Sequence, residues 1–316
     1  MLLWTLWFAC HPSVQVAWLK PSDVTLPPDF TRVALIDREQ GDRSMVVSGA
    51  VERELYDSTR LELAPIGATD AAWLRAPDPA GRDVSPATAD RVCRETGANG
   101  LGVIESTNLT FQDELTSKER EVERDGKTVT IKVWTITRTF EAQASFSLLR
   151  CDASEIDHIT LRESDTDVAE GRSPAEARGK LADDDAIAAA LMEALGMEWA
   201  SHVVPTWTDD RRPYFRNGHP ELVAGHEAIQ TDKLRAAEKA WTSVWDGANS
   251  DRERGRAAFN LAVLAELSGD VKVALQWAKE AKKRLGDAGI VHAYLAILRQ
   301  RKVLDGLLQQ QLEMSP

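Results

Sequence analysis

Hydrophobic and polar residues alternate with a period of two for most of the stretch from Leu109 to Cys151, and this pattern restricts the fold more than any other feature. The segments "LTFQDELTSK" and "TVTIKVWTITRTFEAQASFSLLRC" flank the charged run "EREVERDGK", in which Asp125 and Gly126 suit a tight hairpin turn. A period of two sends successive side chains to opposite faces. The stretch is therefore expected to form long antiparallel strands with one face on a core and one face wet. A further strand, "HITLRES", is expected to complete the meander.

Upstream, the pattern reads as alternating strands and helices. "RVALIDRE" is strand-like, "GAVERELYDS" helical and "RLELAP" strand-like. "SPATADRVCRETG" offers Ser85 as a cap, Pro86 at the first helical position and Gly97 as the stop, before the apolar strand "LGVIES". Gly97, Gly100 and Gly102 lie between helix and strand, the reverse of the order that sets a phosphate on a helix N-terminus. Downstream, Asp183, Asp184 and Asp185 open a helix whose Ile187, Leu191, Ala194, Leu195 and Trp199 recur at helical spacing. Three adjacent aspartates could hold a metal, but neighbours on a helix point in different directions. Stabilisation of the helix N-terminus is the favoured reading.

The last third is helical and repetitive. Asn260, Leu261, Ala262 and Ala265, then Gly269, Ala274 and Ala281, follow the small and large positions of a tetratricopeptide repeat, with Gly269 making the turn. Leu295 lies one period after Leu261, and Ala237 about one period before Ala274, so two degenerate units are expected beside one good one. Trp241, Trp245 and Trp277 are read as packing between helices.

Composition narrows the function. The net charge of -12 lacks the basic footprint that nucleic-acid binding needs. The opening "MLLWTLWFAC" is apolar up to Cys10 but has no lysine or arginine, which suggests the remnant of an export signal whose start lies upstream. With Cys10 as an acyl acceptor, Cys93 and Cys151 remain as an even pair that could form a disulfide in an oxidising compartment or stay as two thiols. The prolines at 12, 21, 27 and 28 suggest an extended tether. No motif for a cofactor or metal stands out. His219 and His226 lack a third ligand and are read as solvent-facing, and Asp37, Glu105 and Glu141 at strand ends are the acids a hydrolase would recruit.

The combination of "LKPSDVTLPP" after Cys10, Asp37 and Arg38 on the first strand, "PTWTDDRRPYF", and the repeat around Asn260 and Gly269 resembles a bacterial family of tetratricopeptide-repeat lipoproteins whose domain has no assigned function. By element order alone, the front domain also resembles small α+β modules of periplasmic assembly lipoproteins. The resemblance implies a signal remnant and tether over 1–27, an α+β domain with a mixed sheet over 28–217, and an all-α repeat domain over 218–316. It further implies an outer-membrane lipoprotein facing the periplasm, since His11 is not the aspartate associated with inner-membrane retention. Such a protein would be an adaptor held by its N-terminal lipid and binding envelope proteins through the repeats, without catalysis or cofactor. The alternative is an envelope hydrolase or carbohydrate-active enzyme using scattered carboxylates.

Overall fold

A computed structural model describes residues 11–39, 41–56, 58, 60–64 and 84–313. They form two compact units, one spanning Ser22–Pro205 and the other combining residues 11–21 with Thr206–Glu313. Strand β1 (Ser13–Lys20) belongs to the second unit. The first unit contains β2 (Arg32–Asp37), α1 (Asp42–Tyr56), β3 (Glu62–Ala64), α2 (Pro86–Thr96), β4 (Gly100–Arg124), β5 (Lys127–Arg150), β6 (Glu155–Gly171), α3 (Pro174–Arg178) and α4 (Asp184–Val203).

The sheet order is β3-β2-β4-β5-β6, with β3, β2 and β4 parallel and β4, β5 and β6 antiparallel. The long alternating stretch forms the β4–β5 hairpin. Asp125 and Gly126 turn it with φ of 54° and 74°, the left-handed pair that matches strand twist. Where the sheet is covered, alternation sorts side chains between two cores. Val33, Phe140, Ala142, Ala144, Phe146 and Leu148 face α1 and α4, while Ala34, Ile36, Leu101 and Val103 share the opposite core with Ala89, Val92 and Cys93 of α2. The Trp199 ring stacks on Phe146 with centroids 5.2 Å apart. Gly102 makes room for it, since a Cβ there would lie 2.6 Å from the indole. Ser85 caps α2 by accepting from the Thr88 N–H, and Asp183 caps α4 by accepting from the Asp185 N–H.

The second unit opens with β1 paired antiparallel to β7 (Thr206–Pro213), from Ser13 opposite Pro213 to Lys20 opposite Thr206. Five helices follow: α5 (Pro220–Gln230), α6 (Leu234–Gly247), α7 (Asp251–Leu267), α8 (Val271–Leu285) and α9 (Gly289–Glu313). Each packs on its sequence neighbour. Helix α7 is the centre of this unit: every residue from Ala257 to Leu264 is buried, as expected of a helix covered on all sides. Gly269, at φ 83°, makes the turn into α8.

The architecture is thus a mixed sheet region followed by a helical region. The segment expected to be a free tether differs, because its residues Ser13–Lys20 pair with β7 and Leu26 is buried in the sheet core beside Phe30. Its apolar residues found partners that proline content alone could not reveal. The units accordingly divide at Pro21/Ser22 and Pro205/Thr206, in place of the divisions expected after residues 27 and 217.

Candidate functional site

The helical unit carries a concavity of about 470 Å³ where α6, α7 and α8 meet. Its walls come from helical spacing. Leu261 and Ala265 lie one turn apart on α7, Val273 and Trp277 one turn apart on α8, and Leu234 and Glu238 one turn apart on α6. Asp270 caps α8, its side chain accepting from the Val273 N–H at 2.9 Å. Trp277 packs edge-on against Trp245 at 5.2 Å, and the Arg284 guanidinium lies over the Trp245 ring at 4.7 Å. The surface has an apolar floor, with Arg235, Glu238 and Asp270 also lining it. Such a lining suits an apolar side chain of a bound segment flanked by polar groups.

A buried charge network ties β7 to α7 and α9. The Glu266 carboxylate, its side chain fully enclosed, accepts from Arg212 Nε at 2.9 Å, from Arg301 at 2.9 Å and from the Tyr294 hydroxyl at 2.8 Å. Arg212 also donates to Asp210, which accepts from the Trp18 indole at 3.0 Å, and Arg301 lies 4.2 Å over the Trp18 ring. Burial disfavours the Arg212 cation, but the Glu266 carboxylate outweighs it and holds its pKa above the usual range. Burial, then the charge of Glu266, pushes the Tyr294 phenol well up. Sequence reasoning missed this cluster. Its signal was Glu266 itself, a carboxylate on an otherwise apolar helix end, which burial would force to find partners.

The repeat-signature residues gather on α7 and α8 and their turn. Leu261, Ala262, Ala274 and Ala281 are buried, Ala265 lines the concavity, and Asn260 does more than pack. Its side chain accepts from the Phe215 N–H and donates to the Phe215 carbonyl, both at 2.7 Å, standing in for a neighbouring strand. His219 caps α5 by accepting from the Glu221 N–H. His226 Nδ1 lies 2.7 Å from the Tyr214 hydroxyl, with its pKa lowered by burial and then by Arg216.

Of the candidate acids, Asp37 and Glu105 meet where β2 leaves β4, since Asp37 lies opposite Ile104, and Glu141 stands apart. Glu105 pairs with Arg38 at 2.6 Å, and Asp37 accepts from the Glu39 N–H. Glu141 lies opposite Thr110, five residues along β5 from Phe146, the partner of Ile104. At about 3.3 Å per residue, that places Glu141 roughly 16 Å from the Asp37 end of the sheet. Asp184 is engaged by Arg138 at 2.6 Å. Cys93 and Cys151 are joined in a disulfide with Cα atoms 5.9 Å apart, tying α2 to the end of β5. Cys10 lies outside the described residues.

Comparison with known proteins adds a little. Residues 223–300, from within α5 into α9, match a domain of unknown function, DUF6340. No curated protein matches the chain. Among solved structures, the chain is similar at 10% identity to the PelC dodecamer from Paraburkholderia phytofirmans, with a TM-score of 0.25, covering 61% of this chain and 99% of that one. A variant of that dodecamer gives 11% identity and a TM-score of 0.24, covering 60% and 99%.

Proposed function

We propose that this protein is a lipid-anchored adaptor of the bacterial cell envelope, binding other envelope proteins through tetratricopeptide-like helical pairs and performing no catalysis. The observation that carries the reading is the apolar concavity of α6, α7 and α8, formed by consecutive helices whose contacts use small residues such as Ala262, Ala274 and Ala278. Helical pairs of this kind present extended binding surfaces. The Cys93–Cys151 disulfide supports an oxidising compartment. Cys10 is the acyl acceptor in this reading, and the lipid holds the protein at the outer membrane, facing the periplasm. Among the described residues no helix is long and apolar enough to cross a membrane. The hydrolase alternative draws little support from Asp37, Glu105 and Glu141, because Glu105 is engaged by Arg38 and Glu141 lies well along β5 from the other two.

Two measurements test the proposal. Intact-mass spectrometry of the protein from a diderm host should show a diacyl or triacyl increment on a chain beginning at Cys10, absent in Cys10→Ala. A photo-reactive residue placed at Val273 should crosslink to an envelope protein, and Trp277→Ala should abolish the crosslink. An unacylated cytosolic chain would refute the location, and crosslinks indifferent to Trp277 would refute the surface.

A further inference from the structure

Strand β4 is paired to β2 only as far as Ile104, opposite Asp37. Beyond that point no described strand lies beside its outer edge, although β5 covers the inner one to Arg124. The first outward donor past the split is already satisfied by a surrogate: Glu39 accepts from the Thr107 N–H at 2.8 Å and from its hydroxyl. Backbone N–H and C=O groups of a strand alternate sides. With Thr107 facing outward, Leu109, Phe111, Asp113 and Leu115 present theirs to the same free edge.

Exposed edges are usually blunted by charge. The outer arm of β4 is, since it reads "SKEREVER", but the inner stretch "STNLTFQ" over residues 106–112 has no charge at all. Next to this uncharged edge lies a groove of about 570 Å³ between α1, α4 and the sheet, floored by Leu109, Phe111, Phe140 and Met192. Phe111 is 57% exposed there. In and around the groove, Asp42, Asp113, Asp184 and Asp185 stand against Arg43, Arg138 and Arg178, an excess of negative charge. Arg138 is committed to Asp113 and Asp184, whereas Asp42 and Asp185 make no ion pair among the described residues.

We propose that the β4 edge from Leu109 to Leu115 accepts an added strand from another protein, an extended segment with apolar side chains at alternate positions and a flanking lysine or arginine. Main-chain hydrogen bonds would supply affinity, and alternate side chains entering the groove would supply selectivity. The basic residue answers Asp42 and Asp185. A second copy of this chain is disfavoured as occupant, because pairing β4 with itself would bring two acidic grooves together. The inference uses the sheet unit alone and is independent of the lipid anchor and the helical concavity.

The test uses the full chain and three synthetic peptides of alternating valine and threonine. One has lysine at both ends, one has glutamate at both ends, and one is the lysine peptide N-methylated on alternate amides along its pairing edge. Fluorescence anisotropy should show the lysine peptide binding, with amide-exchange protection gained at residues 109–115. The glutamate and N-methylated peptides should bind about ten-fold more weakly or worse. Phe111→Pro removes an outward donor that β5 does not use, so it should abolish binding while β5 amides stay protected. If that variant fails to fold, the N-methylated peptide against the unmodified protein decides the matter. No binding, equal binding of the lysine and glutamate peptides, or binding without protection at 109–115 would overturn the proposal. So would self-association of the protein that protects the same residues.

Discussion

At the scale of single residues, Asn260 shows how a position can be legible and its work hidden. The repeat pattern selects it, but nothing in the pattern says that both halves of its amide bond the Phe215 backbone. Asn260→Ala leaves that N–H and C=O without partners, at about 1–3 kcal/mol for each buried group. Urea unfolding of the helical unit should show a loss of at least the lower of those values. Asn260→Asp should not restore it, since a carboxylate would face the Phe215 carbonyl. His226 is a second case, since from sequence it is one of two histidines lacking a third ligand and its partner does not show. Gln230 donates to the Tyr214 oxygen, which leaves the Tyr214 hydroxyl to donate to a neutral His226 Nδ1. Its folded pKa lies below the unfolded value of 6.5 because burial, then Arg216, disfavours the cation. The unfolded chain therefore binds more protons as pH falls through 6.5 toward the folded value, and stability falls with it. His226→Gln should flatten the dependence of unfolding free energy on pH between 7 and 5.

At the scale of elements, the hairpin was legible because a period of two and an Asp-Gly turn leave few alternatives. Helix α2 was legible for a similar reason, with Ser85, Pro86 and Gly97 marking its ends. The face each strand presents was not, because both covers are helices whose placement depends on contacts far apart in sequence, such as Gly102 against Trp199. The disulfide belongs to this scale. It closes a separation of 58 residues between α2 and the end of β5. A chain-entropy treatment gives such a crosslink about 4 kcal/mol. Denaturant unfolding of the sheet unit with and without reductant should recover a loss of that order, and Cys93→Ala should behave like the reduced protein under both conditions.

At the scale of the whole molecule, the prolines suggest an extended N-terminal tether, whereas Ser13–Lys20 is a strand paired with β7. The missing information was β7, whose Asp210 and Arg212 complete a network with Trp18, Glu266 and Arg301. A chain beginning at Ser22 should keep amide protection in β5 and lose it in α7 and α9, whereas a dispensable tether would leave both unchanged. The pairing of β1 with β7 also sets an order of events during synthesis. Trp18 leaves the ribosome 192 residues ahead of Asp210, its hydrogen-bond partner. Until then β1 is an apolar strand without a mate while the whole sheet unit is made and can fold. The helical unit is therefore completed last, from residues that lie on both sides of the sheet unit in the chain.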